Sequence, residues 1–391
     1  MKELVEEAKQ VLMPMYNRFE IVLDHGLGVY LYDTKGKQYL DFGAGIAVNA
    51  LGYGNKTYND ALKAQMDQLL HTSNLFYNQP SIEAAKKFLK ASQMDKVFFT
   101  NSGTEAVEGA LKLARKYYYQ KHKKADSEII AMEHSFHGRS MGAVSVTGKK
   151  EYREAFEPLI GGVVFAEFND LESVRSKITE KTCAIIMETF QGEGGIYPAT
   201  KEFLTGIRSL CDEHDIVLIL DEIQCGMGRT GTMFAYQQYG ILPDIMTSAK
   251  ALGCGVPIGA FAAVNKVANA FVVGDHGSTY ACNPFVTAAA SIVFDLFEEQ
   301  KLLSHVASIG DYLYEQLEQL VEKKESIVAH RGYGLMQGIE LNVPAAQVIS
   351  KCQEEGLILV AAGSNIIRFV PPLIITKENV DEMIAILSKC L

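Results

Sequence analysis

Runs of consecutive apolar residues alternate with stretches of helical periodicity over the first two thirds of this 391-residue chain. An apolar run without polar alternation indicates a strand that is buried on both faces of a sheet. Helices between such strands indicate crossover connections, which join parallel strands. We therefore predict an α/β fold with a mostly parallel sheet covered by helices on both faces. The predicted strands are residues 97–100, 128–132, 161–165, 183–187, 216–220 and 245–247.

The two ends of the chain have a different pattern. Residues 1–10 form an amphipathic helix, and residues 28–41 are typical of two hairpin strands around a turn. The carboxyl-terminal region is predicted to be a smaller α/β domain, with a long helix at 286–298, strands at 334–341 and 357–360, the segment 366–372 and a final amphipathic helix. We divide the chain into an amino-terminal segment (1–55) that packs with the small domain, a large domain (56–284) and a carboxyl-terminal small domain (285–391).

Composition excludes several classes of function. The net charge is −10, so there is no excess of Lys and Arg to neutralise nucleic-acid phosphates. No apolar stretch approaches the ~18 residues of a membrane span, and the amino-terminal helix carries acids where a signal peptide would be apolar. The seven cysteines form no CxxC pair, which fits a reducing compartment. We expect a cytoplasmic protein with no metal site and no nucleic-acid or membrane partner.

Two of the predicted strands end in residues that carry chemistry. Lys250 follows the run at 245–247 and is succeeded by a glycine-rich turn, and Asp221 ends the run at 216–220. Strand ends of a parallel sheet are where ligands bind. A lysine beside an acid at such an edge suits pyridoxal phosphate, because the lysine can form a Schiff base and the acid can keep the ring nitrogen protonated. A surface lysine and a helix-capping aspartate remain the plainer interpretation of either residue alone.

A third strand end predicts an anion site. Ser102, Gly103 and Thr104 lie between the strand at 97–100 and a helix predicted over 105–115. Backbone N–H groups and hydroxyls at a helix amino terminus attract a phosphate. Ser and Thr also cap ordinary helices, so the motif alone leaves both interpretations open.

Two further loops follow strand ends. Phe136 and Arg139 follow the strand at 128–132, where the aromatic ring could stack on a planar cofactor and the arginine could hold a carboxylate. Glu188 and Glu193 lie in a glycine-rich loop after the strand at 183–187 and could orient a cofactor or cap a helix. Packing and surface roles are the alternatives for all four.

The sequence GMGRTG at residues 226–231 matches a dinucleotide-binding fingerprint. Such a fingerprint should follow its strand at once and open a helix. Here five residues intervene after the strand at 216–220, so we do not predict a nicotinamide site.

Taken together, these motifs resemble those of the class III (fold type I) pyridoxal phosphate-dependent aminotransferases, and within them the acetylornithine aminotransferase branch. The resemblance extends over nearly the whole chain, from GVYLYD at residues 28–33 to RFVPP at residues 368–372. It implies the seven-stranded type of sheet that this fold type has. It also implies a smaller α/β domain built from the amino-terminal segment and the carboxyl-terminal region, with pyridoxal 5'-phosphate bound in the large domain.

The resemblance implies a role for each motif residue. The catalytic pair would be Lys250, as Schiff-base lysine and proton shuttle, and Asp221, as partner of the pyridinium nitrogen. The other cofactor-binding residues would be Ser102, Gly103 and Thr104 at the phosphate, Phe136 on the ring, Gln224 at the ring hydroxyl, Glu188 near the substrate, and Thr279 reaching the phosphate of the neighbouring subunit. Substrate carboxylates would be bound by Arg139 and Arg368, with Glu193 beside them. The active site would then be shared within a homodimer.

The implied reaction transfers the terminal amino group of N2-acetylornithine to 2-oxoglutarate in arginine biosynthesis. Glu193 would pair with Arg368 while the donor binds, because the donor has one distant carboxylate for Arg139, and would leave when the dicarboxylate acceptor binds. Ile46 stands where ornithine-specific relatives tend to carry an aromatic residue, which favours the acetylated donor. Succinylornithine, N-succinyldiaminopimelate, ornithine or 4-aminobutyrate as donor, or a non-transaminating enzyme on the same scaffold, remain alternatives.

The chain departs from the family pattern in three places. These are GYGNK at residues 52–56, Thr189 after Glu188, and Ala281–Cys282 before Asn283. None of them removes a catalytic group, but Ala281 and Cys282 add bulk beside the expected subunit contact.

Overall fold

The computed structural model describes residues 2–391. Its strands are β1 Leu23–Leu27, β2 Tyr30–Asp33, β3 Gln38–Asp41, β4 Lys96–Thr100, β5 Glu128–Met132, β6 Val163–Ala166, β7 Thr182–Glu188, β8 Phe190–Gln191, β9 Tyr197–Pro198, β10 Val217–Asp221, β11 Ile245–Ser248, β12 Gly259–Ala263, β13 Ile327–Tyr333, β14 Met336–Leu341, β15 Leu357–Ile358, β16 Val360–Ala361 and β17 Ile366–Phe369. Its helices are α1 Lys2–Val11, α2 Ala44–Ala47, α3 Lys56–Gln68, α4 Gln79–Ser92, α5 Gly103–His122, α6 Met141–Ser145, α7 Leu171–Arg175, α8 Lys201–His214, α9 Asn265–Ala268, α10 Pro284–Glu299, α11 Leu302–Lys323, α12 Ala345–Glu354 and α13 Lys377–Cys390.

A seven-stranded sheet forms the centre of the molecule, in the order β4-β12-β11-β10-β7-β5-β6. All neighbours are parallel except β12, which runs antiparallel to both β11 and β4. Alternate residues of one strand enter two different cores: Leu218 and Leu220 of β10 belong to one, and Val217 and Ile219 to the other. The sheet is therefore covered on both faces, and the predicted fold class is confirmed.

The sequence did not predict β12. Its residues, GAFAA, are mostly small and follow a glycine-rich turn, so the segment resembles a loop more than a buried strand. In the structure Gly259 pairs with Thr100, so β12 returns the chain to the strand that precedes the predicted phosphate site.

Two smaller sheets complete the fold. One has the order β1-β2-β3-β15 and joins the amino-terminal hairpin to the carboxyl-terminal region, with Leu357 paired in parallel to Leu40. The other has the order β13-β14-β17-β16. This combination of both chain ends is the smaller α/β unit that the fold type implies. The domain limits at residues 55 and 284 stay a prediction.

Two strand predictions in the carboxyl-terminal region were wrong in detail. The predicted strand at 334–341 begins only at Met336, because Gly334 has a φ of +55° in the turn that joins β13 to β14. The segment predicted as one strand at 357–360 contributes β15 to one sheet and β16 to the other. A short apolar pattern cannot show that its two halves pair with different partners.

The glycine-rich residues 226–231 form a buried turn rather than the start of a helix. Gly228 donates its N–H to the carbonyl of Met233, and Gly231 donates to the carbonyl of Gly228. Between these glycines lies the fully buried Arg229, whose guanidinium donates to the carbonyls of Leu335 and Pro371. The turn connects the large sheet to the carboxyl-terminal strands.

In residues 2–391, no helix combines the length and the hydropathy that crossing a bilayer requires.

Candidate active site

Four adjacent parallel strands deliver the predicted functional residues to one edge of the large sheet. Asp221 is the last residue of β10, and Glu188, the last residue of β7, lies directly opposite it. Lys250 follows the end of β11, and the loop with Phe136 follows β5. A cavity of about 340 Å³ opens at this edge. Its lining includes Ser102, Gly103, Thr104, Phe136, Glu188, Asp221, Gln224 and Lys250.

Lys250 faces this cavity from a strained turn with a φ of +48°. Its Nζ makes no hydrogen bond or ion pair with any residue in 2–391, so the amine is available to a ligand. Burial and the positive charge of Arg368 together lower the pKa of Lys250 to about 8, against partial compensation by Glu193 and Asp221. A lysine in this state exists as free amine and as ammonium near neutral pH, which suits a nucleophile that also moves protons.

The carboxylate of Asp221 is fixed by three donors. Nδ1 of His137 lies 2.7 Å from its Oδ2, and Oδ1 accepts hydrogen bonds from the Thr247 hydroxyl at 3.2 Å and from the Ile223 N–H at 3.0 Å. His137 and Asp221 are both almost fully buried. The carboxylate therefore has one orientation, facing the cavity.

Glu188 is the second buried acid at this edge. Its Oε2 accepts a hydrogen bond from the Phe136 N–H and its Oε1 one from the Gly192 N–H, each at 3.1 Å. Burial raises the pKa of Glu188 to about 7, because the charged form is poorly solvated there and the neighbouring Asp221 repels it. The Glu188 carboxyl thus fixes the loops after β5 and β7 against each other.

The predicted phosphate site lies at the amino terminus of α5. Ser102 is the N-cap of this twenty-residue helix, and its hydroxyl accepts from the Glu105 N–H. A Cβ atom added to Gly259 would lie 2.3 Å from the Ser102 carbonyl oxygen, so β12 packs directly against the turn. The Thr104 hydroxyl lies 2.7 Å from that of Ser140. The turn is closely supported and offers its N–H groups to an anion.

Arg368 and Glu193 do not line the cavity themselves, but both contact Gln224, which does. Nη1 of the almost fully buried Arg368 lies 2.5 Å from Oε1 of Glu193 and donates to Oε1 of Gln224 at 2.8 Å. Burial tends to raise the pKa of Glu193, but the charge and hydrogen bonds of Arg368 outweigh it and the net pKa is lowered. Gln224, which was expected at the ring hydroxyl, also reaches Glu193 with its amide nitrogen at 3.4 Å.

Arg139 and Thr279 do not line this cavity either. Arg139 is exposed, and its guanidinium stacks on the ring of Tyr152. Thr279 is exposed too. Its neighbour Ser278 contacts Asn101, which lies beside the predicted phosphate site. The structure of a single chain thus leaves Thr279 outside its own cavity.

Sequence reasoning did not assign several residues that shape the site. His137 and Thr247 hold Asp221, and Ser140 holds Thr104. His137 lies in the loop between Phe136 and Arg139, and Thr247 lies on the strand before Lys250. Both are polar residues near strand ends, which is a signal that the sequence contains. Ile46 carries a φ of +64°, which is rare for a β-branched residue and has no signal in the sequence.

Comparison with known proteins places this geometry in a family. The family model for class-III aminotransferases matches residues 12–391. The chain belongs to the class-III aminotransferase family.

Similar members of this family include two proteins named acetylornithine aminotransferase. The protein from Clostridium acetobutylicum is 46% identical over 98% of this chain and 99% of its own length. The protein from Methanocaldococcus jannaschii is 44% identical over 98% of this chain and 97% of its own length.

Solved structures of the family superpose over the whole chain. The ornithine aminotransferase of Toxoplasma gondii has a TM-score of 0.96 at 27% identity, covering 100% of this chain and 94% of that one. The N-acetylornithine aminotransferase of Stenotrophomonas maltophilia has a TM-score of 0.85 at 34% identity, covering 99% of this chain and 98% of that one.

The cofactor of this class-III aminotransferase is pyridoxal 5'-phosphate, and the residues present fit it. A lysine amine without a partner faces the cavity, and a fixed carboxylate, that of Asp221, lies on the adjacent strand. A helix amino terminus with two hydroxyls borders the same cavity. The cavity volume lies in the range of roughly 300–1,000 Å³ that is typical of small-molecule sites.

Proposed function

We propose that this class-III aminotransferase transfers the terminal (δ) amino group of N2-acetylornithine to 2-oxoglutarate. The products would be N-acetylglutamate 5-semialdehyde and glutamate, and the step would serve arginine biosynthesis. The proposal is supported by 43–46% identity, over nearly the whole chain, to several proteins named acetylornithine aminotransferase. The observation that carries it in this structure is the arrangement of the two arginines.

Arg368 has an acid partner and Arg139 has none. The Glu193 carboxylate neutralises Arg368, whereas Arg139 makes no ion pair among residues 2–391. A donor with one carboxylate far from its amine needs one free arginine, and N-acetylornithine is such a donor. A dicarboxylate acceptor needs two, and it would compete with Glu193 for Arg368. Leaving a buried arginine without a partner is costly, which explains why the acid is present when the donor binds.

Each remaining site residue has a proposed part in the reaction. When bound, pyridoxal phosphate supplies an electron sink for the substrate carbon that loses a proton. Asp221 would keep the ring nitrogen protonated, and the turn at Ser102, Gly103 and Thr104 would hold the phosphate. Nζ of Lys250 would remove the proton from the substrate carbon that bears the amino group and would then donate it to the cofactor. A pKa near 8 permits both transfers.

We also propose a homodimer in which each site takes a residue from the neighbouring subunit. Two exposed segments lie together on one surface, because the Asn74 side chain donates to the carbonyls of Ser278 and Ala281. This surface carries large exposed apolar side chains: Leu75 (88% exposed), Phe76 (67%), Tyr77 (98%) and Tyr280 (64%). Apolar patches of this kind mark interfaces, and Thr279 lies within the patch.

A mixed dimer tests the shared site. Lys250→Ala and Thr279→Ala chains, co-expressed with two different affinity tags, would be isolated as homodimers and as the mixed dimer. If Thr279 serves the neighbouring subunit, the mixed dimer contains one site with both native residues and recovers about half of the native activity per dimer. Activity no higher than that of the Thr279→Ala homodimer would show that Thr279 serves its own chain or no site.

The donor is tested by measuring glutamate formed from 2-oxoglutarate with N-acetylornithine, succinylornithine, N-succinyldiaminopimelate, ornithine and 4-aminobutyrate. We expect the highest kcat/KM with N-acetylornithine. A higher kcat/KM with another donor would contradict N-acetylornithine as the donor but would still agree with an aminotransferase. Absence of glutamate with every donor, from protein that binds the cofactor, would instead support a non-transaminating relative.

We infer that the protein works in the cytoplasm. All seven cysteines are free in the structure, and six of them are buried, which suits a reducing compartment. A fluorescent fusion in the source organism would test this location.

A further inference from the structure

Tyr152 directly contacts Arg139, the arginine proposed to bind the carboxylate of the donor. The guanidinium carbon of Arg139 lies 3.7 Å from the centroid of the Tyr152 ring. The same guanidinium lies 5.5 Å from the centroid of Phe136, and the two rings meet edge to face at 6.0 Å. Arg139 thus lies in the corner formed by the two rings, with Tyr152 the nearer of them.

This stacking leaves the hydrogen-bonding edge of Arg139 free. The guanidinium is planar, and its N–H groups point outward in the plane while its face takes the aromatic ring. Arg139 is exposed and makes no hydrogen bond or ion pair with residues 2–391. A long exposed side chain without a contact loses conformational entropy when a ligand fixes it. Stacking on an aromatic ring restricts the side chain before the ligand binds.

The segment that carries Tyr152 also contacts the second carboxylate site. Lys149 donates from Nζ to the carbonyl oxygen of Glu193 at 2.8 Å, and its Nζ lies 5.8 Å from the Tyr152 ring. The segment from Lys149 to Tyr152 therefore contacts both Arg139 and the loop that carries Glu193.

We propose that Tyr152 is a positioning residue that sets Arg139 in the orientation that binds the donor's carboxylate. The inference rests on the proposed function, because it concerns a donor that carries a carboxylate distant from its amine. Tyr152 acts through its ring face rather than its hydroxyl. Its removal should therefore weaken recognition of the carboxylate without altering the chemistry at Lys250.

The test compares Tyr152→Phe, which keeps the ring, with Tyr152→Leu, which removes it. For N-acetylornithine we expect Tyr152→Leu to raise KM about fivefold, with kcat within about twofold, in line with the loss of one cation–π contact. Tyr152→Phe should stay close to the native KM. With a simple alkylamine, which has no carboxylate, Tyr152→Leu and the native protein should reduce the bound cofactor's aldehyde absorbance at equal rates.

A double-mutant cycle separates positioning from general damage. In an Arg139→Ala background, Tyr152→Leu should cause no further rise in KM. A further rise of similar size, or an equal loss with the alkylamine, would overturn the inference. An unchanged KM in Tyr152→Leu alone would overturn it as well. If the native protein does not turn over N-acetylornithine at all, the proposed function fails instead, and the two failures are distinguished by the native control.

Discussion

At the scale of single residues, the Glu193–Arg368 pair is the feature with the sharpest energetic consequence. Glu193→Ala leaves the buried Arg368 with Gln224 and the Ala361 carbonyl as its remaining partners. We expect the free energy of unfolding to fall by about 3 kcal/mol, the order seen when one partner of a buried pair is removed. Chemical denaturation of the variant and the native protein measures this difference.

The same variant also tests the proposed exchange of partners. A dicarboxylate such as succinate should raise the melting temperature of Glu193→Ala more than that of the native protein, because Arg368 is then free to bind it. Equal shifts in both proteins would mean that Glu193 does not compete with the substrate for Arg368.

The raised pKa of Glu188 predicts a dependence of stability on pH. The folded pKa is about 7 against an ordinary 4.5, so the folded state binds more protons than the unfolded state between these values. The free energy of unfolding should therefore fall as the pH rises from about 4.5 to about 7. Glu188→Gln should make this fall smaller when denaturation is followed across the same pH range. If the free energy of unfolding of the variant depended on pH as steeply as that of the native protein, the raised pKa of Glu188 would be contradicted.

The sequence could predict a site residue where the signal lies in the neighbouring residues of the chain. Lys250, Asp221 and Glu188 were predicted because each ends a recognisable apolar strand. Tyr152 could not be predicted, because its contact with Arg139 is a ring stack between two loops and leaves no pattern in the sequence. The parts assigned to all of these site residues, and to Arg139 and Thr279, stay predictions.

At the scale of elements, α5 connects the large sheet to the proposed phosphate site. A Cβ atom added to Gly109, in the middle of α5, would lie 2.2 Å from the ring of Phe261 on β12. Gly109→Ala should therefore lower the free energy of unfolding by about 1–3 kcal/mol, through overpacking that exceeds the gain in helix propensity. It should also weaken cofactor binding, since the shifted helix begins at the phosphate turn.

Gly161→Ala is the matched control, because a Cβ atom there meets nothing within 4 Å. Thermal denaturation and cofactor titration of both variants make the comparison. Equal stability of the two would show that α5 adjusts without cost.

The elements themselves were predictable where the apolar pattern was long. The strands β5, β7, β10 and β11 were found within a residue or two of their observed ends. The strand β12 was missed because small residues give a weak apolar signal, and β13 because its burial alternates irregularly. The pairing of the strands could not be predicted from the apolar pattern, because nothing in the local sequence shows that β15 joins the amino-terminal hairpin.

At the scale of the whole molecule, the two ends of the chain meet beside the active site. The sheet β1-β2-β3-β15 combines them, and β17 brings Arg368 from the carboxyl-terminal region to Glu193 in the large sheet's loop. The family could be recognised from sequence because motifs separated by up to hundreds of residues occur in one order. The periodicity of apolar residues alone would have predicted only a parallel sheet covered by helices. It would not have indicated which reaction the protein catalyses.

The central claim, a two-step amino transfer at Lys250, is tested most directly by the absorbance spectrum of the purified protein with its cofactor. Addition of N-acetylornithine without a keto acid should convert the band of the cofactor's aldehyde form to that of its amine form, and 2-oxoglutarate should restore it. Lys250→Ala should fail to complete this cycle. A band that ignores N-acetylornithine but responds to glutamate would contradict the proposed donor. No band after incubation with pyridoxal phosphate would contradict the site itself.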